Sequence, residues 1–100
     1  MARQRKLEPI HPGEILLEEF MKPMGISTNQ LARELSVPAG RISAITNGKR
    51  SISADTALRL GRYFGVSAET WTGLQADFEL RLARRSAGAE IEERVRQHFG

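Results

Sequence analysis

The chain of 100 residues contains no cysteine, and its aromatic residues are one tryptophan, one tyrosine and four phenylalanines. Lack of cysteine excludes a disulfide framework and thiolate-ligated zinc, and it fits a reducing cytoplasm, the compartment expected for this chain. No apolar run approaches the roughly 18 residues that a membrane span requires. The N-terminal Met1-Ala2-Arg3-Gln4-Arg5-Lys6 is basic but lacks the apolar stretch of a secretory signal, so none is expected. The two histidines, His11 and His98, lie in different segments, which leaves no metal-ligand spacing. Glycines are scattered instead of gathered into a phosphate loop, and no serine–histidine pair occupies a recognised nucleophile setting. No catalytic residue, metal or cofactor is expected, and the chain is not expected to be an enzyme. A net charge of +3 favours an anionic partner only weakly.

What is present is enough apolar sequence, 40% of residues, for one modest core and one domain. Nothing alternates as a strand would, whereas helix starts recur. Ile26-Ser27, Ile52-Ser53 and Val66-Ser67 each set an apolar residue before a serine cap and polar residues in the first turn. The expected fold is all-α. Helix one spans 12–21 or 22, with Pro12 first, Glu14 in the first turn, Ile10 stapled to Ile15, and Ile15, Leu16 and Phe20 inward; Pro23 and Gly25 stop it. Helix four spans 54–64, with Leu58, Gly61 and Phe64 along one side, Leu60 partly inward and Gly65 at its end. Helix five spans 68 to 83 or 84 and carries a stripe of Trp71, Leu74, Phe78 and Leu82, with Trp71 in the core. Ala76, Leu80 and Ala83 form a second apolar edge, expected to make a two-fold interface together with the last segment. Ser86-Ala87-Gly88 is expected to break the chain. Residues 90–99 then form a short helix that packs on the body, crosses to a partner subunit or frays. The resulting division is a basic arm over 1–9, a helical domain over 10–84 and a C-terminal segment over 85–100. Arg3, Arg5 and Lys6 suit either a solvated tail or a phosphate-tracking arm.

The chain is organised around residues 27–48. Ser27 caps a short helix, with Gln30 placed to complete a capping box and Ile26 and Leu31 placed as a hydrophobic staple. Leu31, Ala32 and Leu35 give it one apolar face. Ser36 and Val37 form a turn, and Pro38 suits the first position of the next helix. Ile42 and Ile45 point that helix at the core, and Asn47-Gly48 ends it in the left-handed conformation. Ala39, Gly40, Arg41, Ser43, Ala44 and Thr46 remain exposed. A helix so slim and polar fits a DNA major groove, which is about 12 Å wide.

This pattern resembles the helix-turn-helix of the phage-repressor-like (xenobiotic-response-element) family. Further motifs narrow the match: His11-Pro12-Gly13-Glu14, Asn47-Gly48-Lys49-Arg50, the run Ala54-Asp55-Thr56-Ala57-Leu58-Arg59-Leu60, and Trp71-x-x-Leu74-Gln75. Over residues 10–82 the chain resembles the HigA branch, the antitoxins of host-inhibition-of-growth toxin–antitoxin pairs. The resemblance implies a five-helix phage-repressor-like helix-turn-helix domain with an extra C-terminal helical segment, usually as a homodimer. It implies a partner toxin that is a small ribonuclease cutting translated messenger RNA, and repression of the antitoxin's own operon through palindromic double-stranded DNA.

Carried onto this sequence, the resemblance places Pro38, Ala39, Gly40, Arg41 and Ala44 near bases or phosphates, Thr28 at a phosphate, and Asn47 and Lys49 near the DNA backbone. Gly40 and Ala44 depart from the family, which often has large polar residues there, and Ser36 stands where glycine is commoner. The direct base code is therefore thin. Arg41 and Thr46, with Ser43, are the expected polar readers, and Ala39 or Ala44 is expected against a thymine methyl. DNA shape and half-site spacing then carry much of the specificity. Lys49 and Arg50 are expected to act through phosphates. Two other readings stay open: a free-standing repressor without a toxin, and a protein-binding module that has lost DNA binding. For the toxin, the candidate surfaces are the acidic side of helix one, Glu14, Glu18 and Glu19, and the C-terminal helix.

Overall fold

A computed structural model describes residues 8–99, and every regular element among them is helical. Helix α1 consists of three segments that run on without a break: Pro12–Ile15, a π-helical Leu16–Met21 and a last turn Lys22–Met24. Then follow α2 (Thr28–Leu35), α3 (Ala39–Thr46), α4 (Ala54–Phe64) and α5 (Ala68–Arg94). The basic arm expected over residues 1–9 lies outside the described residues except for Glu8 and Pro9.

The serine caps expected from the sequence are in place. The Ser27, Ser53 and Ser67 hydroxyls accept from the backbone amides of Gln30, Thr56 and Thr70 at 3.1, 3.2 and 3.2 Å. Each satisfies an amide that the first helical turn leaves unpaired. His11 does the same for α1, its Nδ1 accepting from Gly13 N–H at 2.8 Å. Three helix ends share one device. At Gly25, Ser36 and Gly48 the chain turns left-handed, with φ of 66°, 60° and 74°. The residue after each donates back to a carbonyl five positions earlier: Ile26 to Met21, Val37 to Ala32 and Lys49 to Ala44, at 2.9, 3.0 and 2.8 Å. These are Schellman turns. Ser36 is the one non-glycine with positive φ among the described residues.

The core is formed by Leu16, Met21, Leu31, Ala32, Leu35, Ile42, Ile45, Ile52, Ala57, Leu60 and Trp71, each at most 5% exposed. Phe20 and Phe64 lean against it, with ring centroids 5.0 Å apart, and Phe20 lies 5.1 Å from the Trp71 ring. Gly13 is buried where the start of α1 meets the end of α3. A Cβ there would collide with the Ile45 carbonyl, so only glycine permits this crossing.

Five expectations are corrected. Pro23 does not stop helix one, which runs to Met24. The π segment, in which Lys22 N–H donates to the Leu17 carbonyl, widens the helix. A proline ring that would press on the carbonyl four residues back in an α-helix is thereby accommodated. Pro38 is the cap residue of α3 and not its first helical residue. On α4 the buried residues are Thr56, Ala57 and Leu60, while Leu58 is 65% exposed. Ser86-Ala87-Gly88 is no break, because α5 continues through it to Arg94. The separate helix over 90–99 is consequently absent: residues 90–94 extend α5 and residues 95–99 are non-helical. Gly88 costs a helix about 1 kcal/mol relative to alanine, and the alanine, arginine and glutamate around it are strong helix formers. At 27 residues, α5 is about 40 Å long. Its stripe leaves the core along its length, from buried Trp71 through half-buried Leu74 and Phe78 to Leu82.

Two stability predictions arise. Ser36→Gly removes the left-handed Cβ strain and should raise unfolding free energy by about 0.5–1 kcal/mol in urea titration. The second concerns His11, whose pKa is held below 6.5 mainly by burial, against a backbone hydrogen bond with Arg50 and the nearby Glu79 carboxylate. Its ring packs edge-on against Phe78 at 4.9 Å. The folded chain thus takes up this proton less readily than the unfolded chain. The stabilisation is complete above pH 6.5 and is lost as pH falls from there through the lowered folded value. Melting at pH 7.5 and 5.5 should show the loss, and His11→Asn, which retains a capping acceptor, should flatten it.

Candidate nucleic-acid interface

An eight-residue helix cannot hold itself together in water, so α3 depends on what lies beneath it. Ile42 and Ile45 are both fully buried, and they fix which side of α3 faces out. With 3.6 residues per turn, the positions opposite them are Gly40, Ser43, Ala44 and Asn47. Gly40 and Asn47 are exposed, and Ser43 and Ala44 are half-buried. A Cβ built on Gly40 meets nothing within 4 Å. The outer surface of α3 is accordingly low and nearly free of long side chains. Lys49 and Arg50, both exposed, stand just past its C-terminus.

The flanks of α3 are occupied differently. Arg41 leans toward α4, where its Nη1 donates to Asp55 Oδ1 at 3.0 Å, and its side chain is 23% exposed. Thr46 leans the other way, toward a cleft of about 400 Å³ walled by His11, Glu14 and Phe78. Its hydroxyl donates to the Ser43 carbonyl at 3.2 Å, which leaves oxygen lone pairs as its outward offering. Ala39 is half-buried and Pro38 exposed at the leading end of α3. Thr28 opens α2 and is half-buried. The residues singled out in the sequence thus gather around α3 and the start of α2, with Arg41 and Thr46 on the sides of α3 instead of its crest.

Several positioning groups were not anticipated. Gln75, on α5, is buried and reaches the loop after α3. Its Oε1 accepts from Ile52 N–H at 2.8 Å and its Nε2 donates to Glu79 at 2.9 Å, fastening the segment after α3 to α5. Asp55 pairs with both Arg41 and Arg59, at 3.0 and 2.7 Å. The hydrogen bond from Arg59, then that from Arg41, keeps the Asp55 carboxyl below its ordinary pKa. The Asp55–Arg59 pair has i, i+4 spacing and is legible in a helix. The pairing with Arg41, fourteen positions away, has no sequence signal.

No group of three or more histidine or carboxylate side chains among the described residues could hold a metal. No helix among them is long and apolar enough to cross a membrane.

A helix-turn-helix family profile matches residues 17–71. Virulence-associated protein I of Dichelobacter nodosus is 48% identical over 84 residues, covering 84% of this chain and 78% of that protein. A HigA-family addiction module antidote protein from Coxiella burnetii superposes with a TM-score of 0.87 at 47% identity, covering 91% of this chain and 99% of that one. The Pseudomonas aeruginosa antitoxin HigA, solved with the higBA promoter, gives a TM-score of 0.88 at 44% identity over 92% of this chain and all of that one, 100%. The chain belongs to the helix-turn-helix family and, within it, to the HigA-type antitoxins.

Proposed function

We propose that the protein is a HigA-type antitoxin that represses its own operon by seating α3 in the major groove and neutralises a cognate small-ribonuclease toxin. The observation that carries the DNA reading is the outer surface of α3, where Gly40 has open space above it while Ile42 and Ile45 are buried below. A groove about 12 Å wide accepts such a helix close to the base edges. The Pseudomonas aeruginosa relative, solved with the higBA promoter, supports the same reading.

In this proposal Ser43, Ala44 and Asn47 face the groove, with Arg41 and Thr46 reaching from its sides and Ala39 near a thymine methyl. Pro38 and Gly40 let the DNA approach closely. Thr28 at the head of α2, and Lys49 and Arg50 beyond α3, meet phosphates. Phosphate contacts give affinity and register, while sequence discrimination comes from the few base contacts and from DNA shape.

The protein is further proposed to act as a homodimer. The distal half of α5 exposes Leu80, Leu82 and Ile91 by 52%, 43% and 51%. Leu80, Ala83, Gly88 and Ile91 line a shallow groove of about 530 Å³ there. A second copy on this surface would bury apolar area and set two recognition helices for half-sites about one DNA turn apart.

Gly40→Glu tests the DNA reading. The side chain has room, so unfolding free energy should hold or rise by about 0.5 kcal/mol. Affinity for a duplex of the chain's own promoter should fall at least about tenfold in a mobility-shift titration, because a carboxylate then faces the groove; unchanged affinity would refute it. For the assembly, Leu80→Asp should yield a monomer in sedimentation equilibrium, and a variant that still sediments as a dimer removes this interface. Coexpression with the adjacent gene tests the toxin: a ribonuclease copurifying with this chain is expected, and its absence leaves a repressor alone.

A further inference from the structure

Arg41 belongs to the recognition helix, yet its guanidinium lies back against α4. Its Nη1 donates to Asp55 Oδ1 at 3.0 Å and to Thr56 Oγ1 at 3.5 Å. Its Nε is buried without a hydrogen-bond partner. The same Asp55 oxygen accepts from Arg59 Nε at 2.7 Å, and Arg59 Nη1 donates to the Leu35 and Ser36 carbonyls at 2.8 and 3.4 Å. The relay runs from the turn between α2 and α3, through α4, to Arg41. One carboxylate oxygen joins its two halves.

A free arginine at a DNA surface loses many rotamers when it binds, and that loss subtracts from affinity. An arginine already held by its Nη1 loses fewer. Its Nη2 is then the donor left for a base edge beside α3. We propose that Asp55 is a positioning residue for operator discrimination, fixing Arg41 in the pose from which it reads DNA. The inference rests on the reading of α3 as the element that enters the groove. The Asp55 charge is itself poorly placed for DNA, since it would repel phosphates, so its effect on binding separates the two roles by sign.

The experiment is a fluorescence-anisotropy titration of the full chain against two duplexes: its own promoter, and the same sequence scrambled. Wild type should prefer the promoter. Asp55→Ala and Arg41→Ala should each lower the promoter-to-scrambled ratio about tenfold, the worth of one good base contact. The double variant should lose no more than either single, because both remove the same contact. Asp55→Asn, which keeps an oxygen acceptor for Arg41, should recover part of the ratio. The slope of affinity against salt should not change in Asp55→Ala, because a carboxylate neutralises no phosphate. Should Asp55→Ala melt below the assay temperature, Asp55→Ser keeps a side chain tolerated in the first turn, cannot reach Arg41, and carries the same expectation. The proposal is overturned if the Asp55 variants bind both duplexes more tightly by the same factor, or if the losses in the double variant add. A wild-type chain that prefers neither duplex refutes the groove reading and this inference with it. A wild-type preference that Asp55→Ala and Asp55→Ser both retain refutes this inference alone.

Discussion

Everything displayed on α3 rests on two isoleucines beneath it. Ile42 and Ile45 are fully buried, and burying each contributes about 1.5–3 kcal/mol. Eight residues in isolation would be mostly unfolded, so this burial is also what makes α3 a helix. The consequence is a division of labour around a single turn: one side must be greasy, and the other is free to be as bare as the DNA requires. Gly40 and Ala44 weaken neither the core nor the orientation of the helix, because neither is decided on their side. An outward face that would be poor design for a free helix is tolerable on one anchored from below.

Burial sets the rotation of α3, and polar bonds set its ends. At the leading end, the Schellman turn at Ser36 and the Arg59 guanidinium both engage the last carbonyls of α2. At the trailing end, Gly48 closes α3 while Gln75 holds the Ile52 amide. Gly13 packs on the Ile45 carbonyl, and the neighbouring His11 is bonded to the backbone of Arg50. The loop after α3 is thus held from α5 and from α1, two elements remote in sequence. Lys49 and Arg50 project from a segment whose backbone is held on both sides, and in the proposed complex such a hold would let phosphate contacts fix register.

How much of this was readable in advance depended on the range of the interaction. The three serine caps, the Gly48 and Gly65 ends, the Ile42–Ile45 face and the buried Trp71 are written within one or two helical turns. Local pattern found them. On α4 the pattern points Leu58, Gly61 and Phe64 inward and Leu60 only partly, whereas Thr56, Ala57 and Leu60 are buried and Leu58 is exposed. A residue as small as Ala57 carries little hydrophobic signal of its own. Pro23 and Gly88 were read as breakers by their type alone. A π turn absorbed the first, and strong helix formers on both sides outweighed the second. The bond between Arg41 and Asp55 has no local signature, because fourteen positions separate them. The local helices around α3 were legible, but the long-range polar bonds that brace them were not.

A recognition helix with few long side chains shifts the burden of discrimination elsewhere in the molecule. If Ser43, Thr46, Asn47 and one restrained arginine are the polar groups offered to base edges, each wrong base costs only about 1–3 kcal/mol at a few positions. In the proposed homodimer, long operators would then be distinguished through what two copies must satisfy together: half-site spacing, and the deformability of the DNA between them. That demand falls on rigidity. A sloppy α3 would sample several depths in the groove and blur the few contacts it has, whereas one pinned at both ends and underneath presents them in a single geometry. In the proposed homodimer that spacing would depend on how the distal turns of α5, with Leu80 and Ile91 exposed, meet a second copy. On the proposed dimer, sparse side chains on α3 and a long projecting α5 are two parts of one solution: specificity moves from the surface of the helix to the distance between helices.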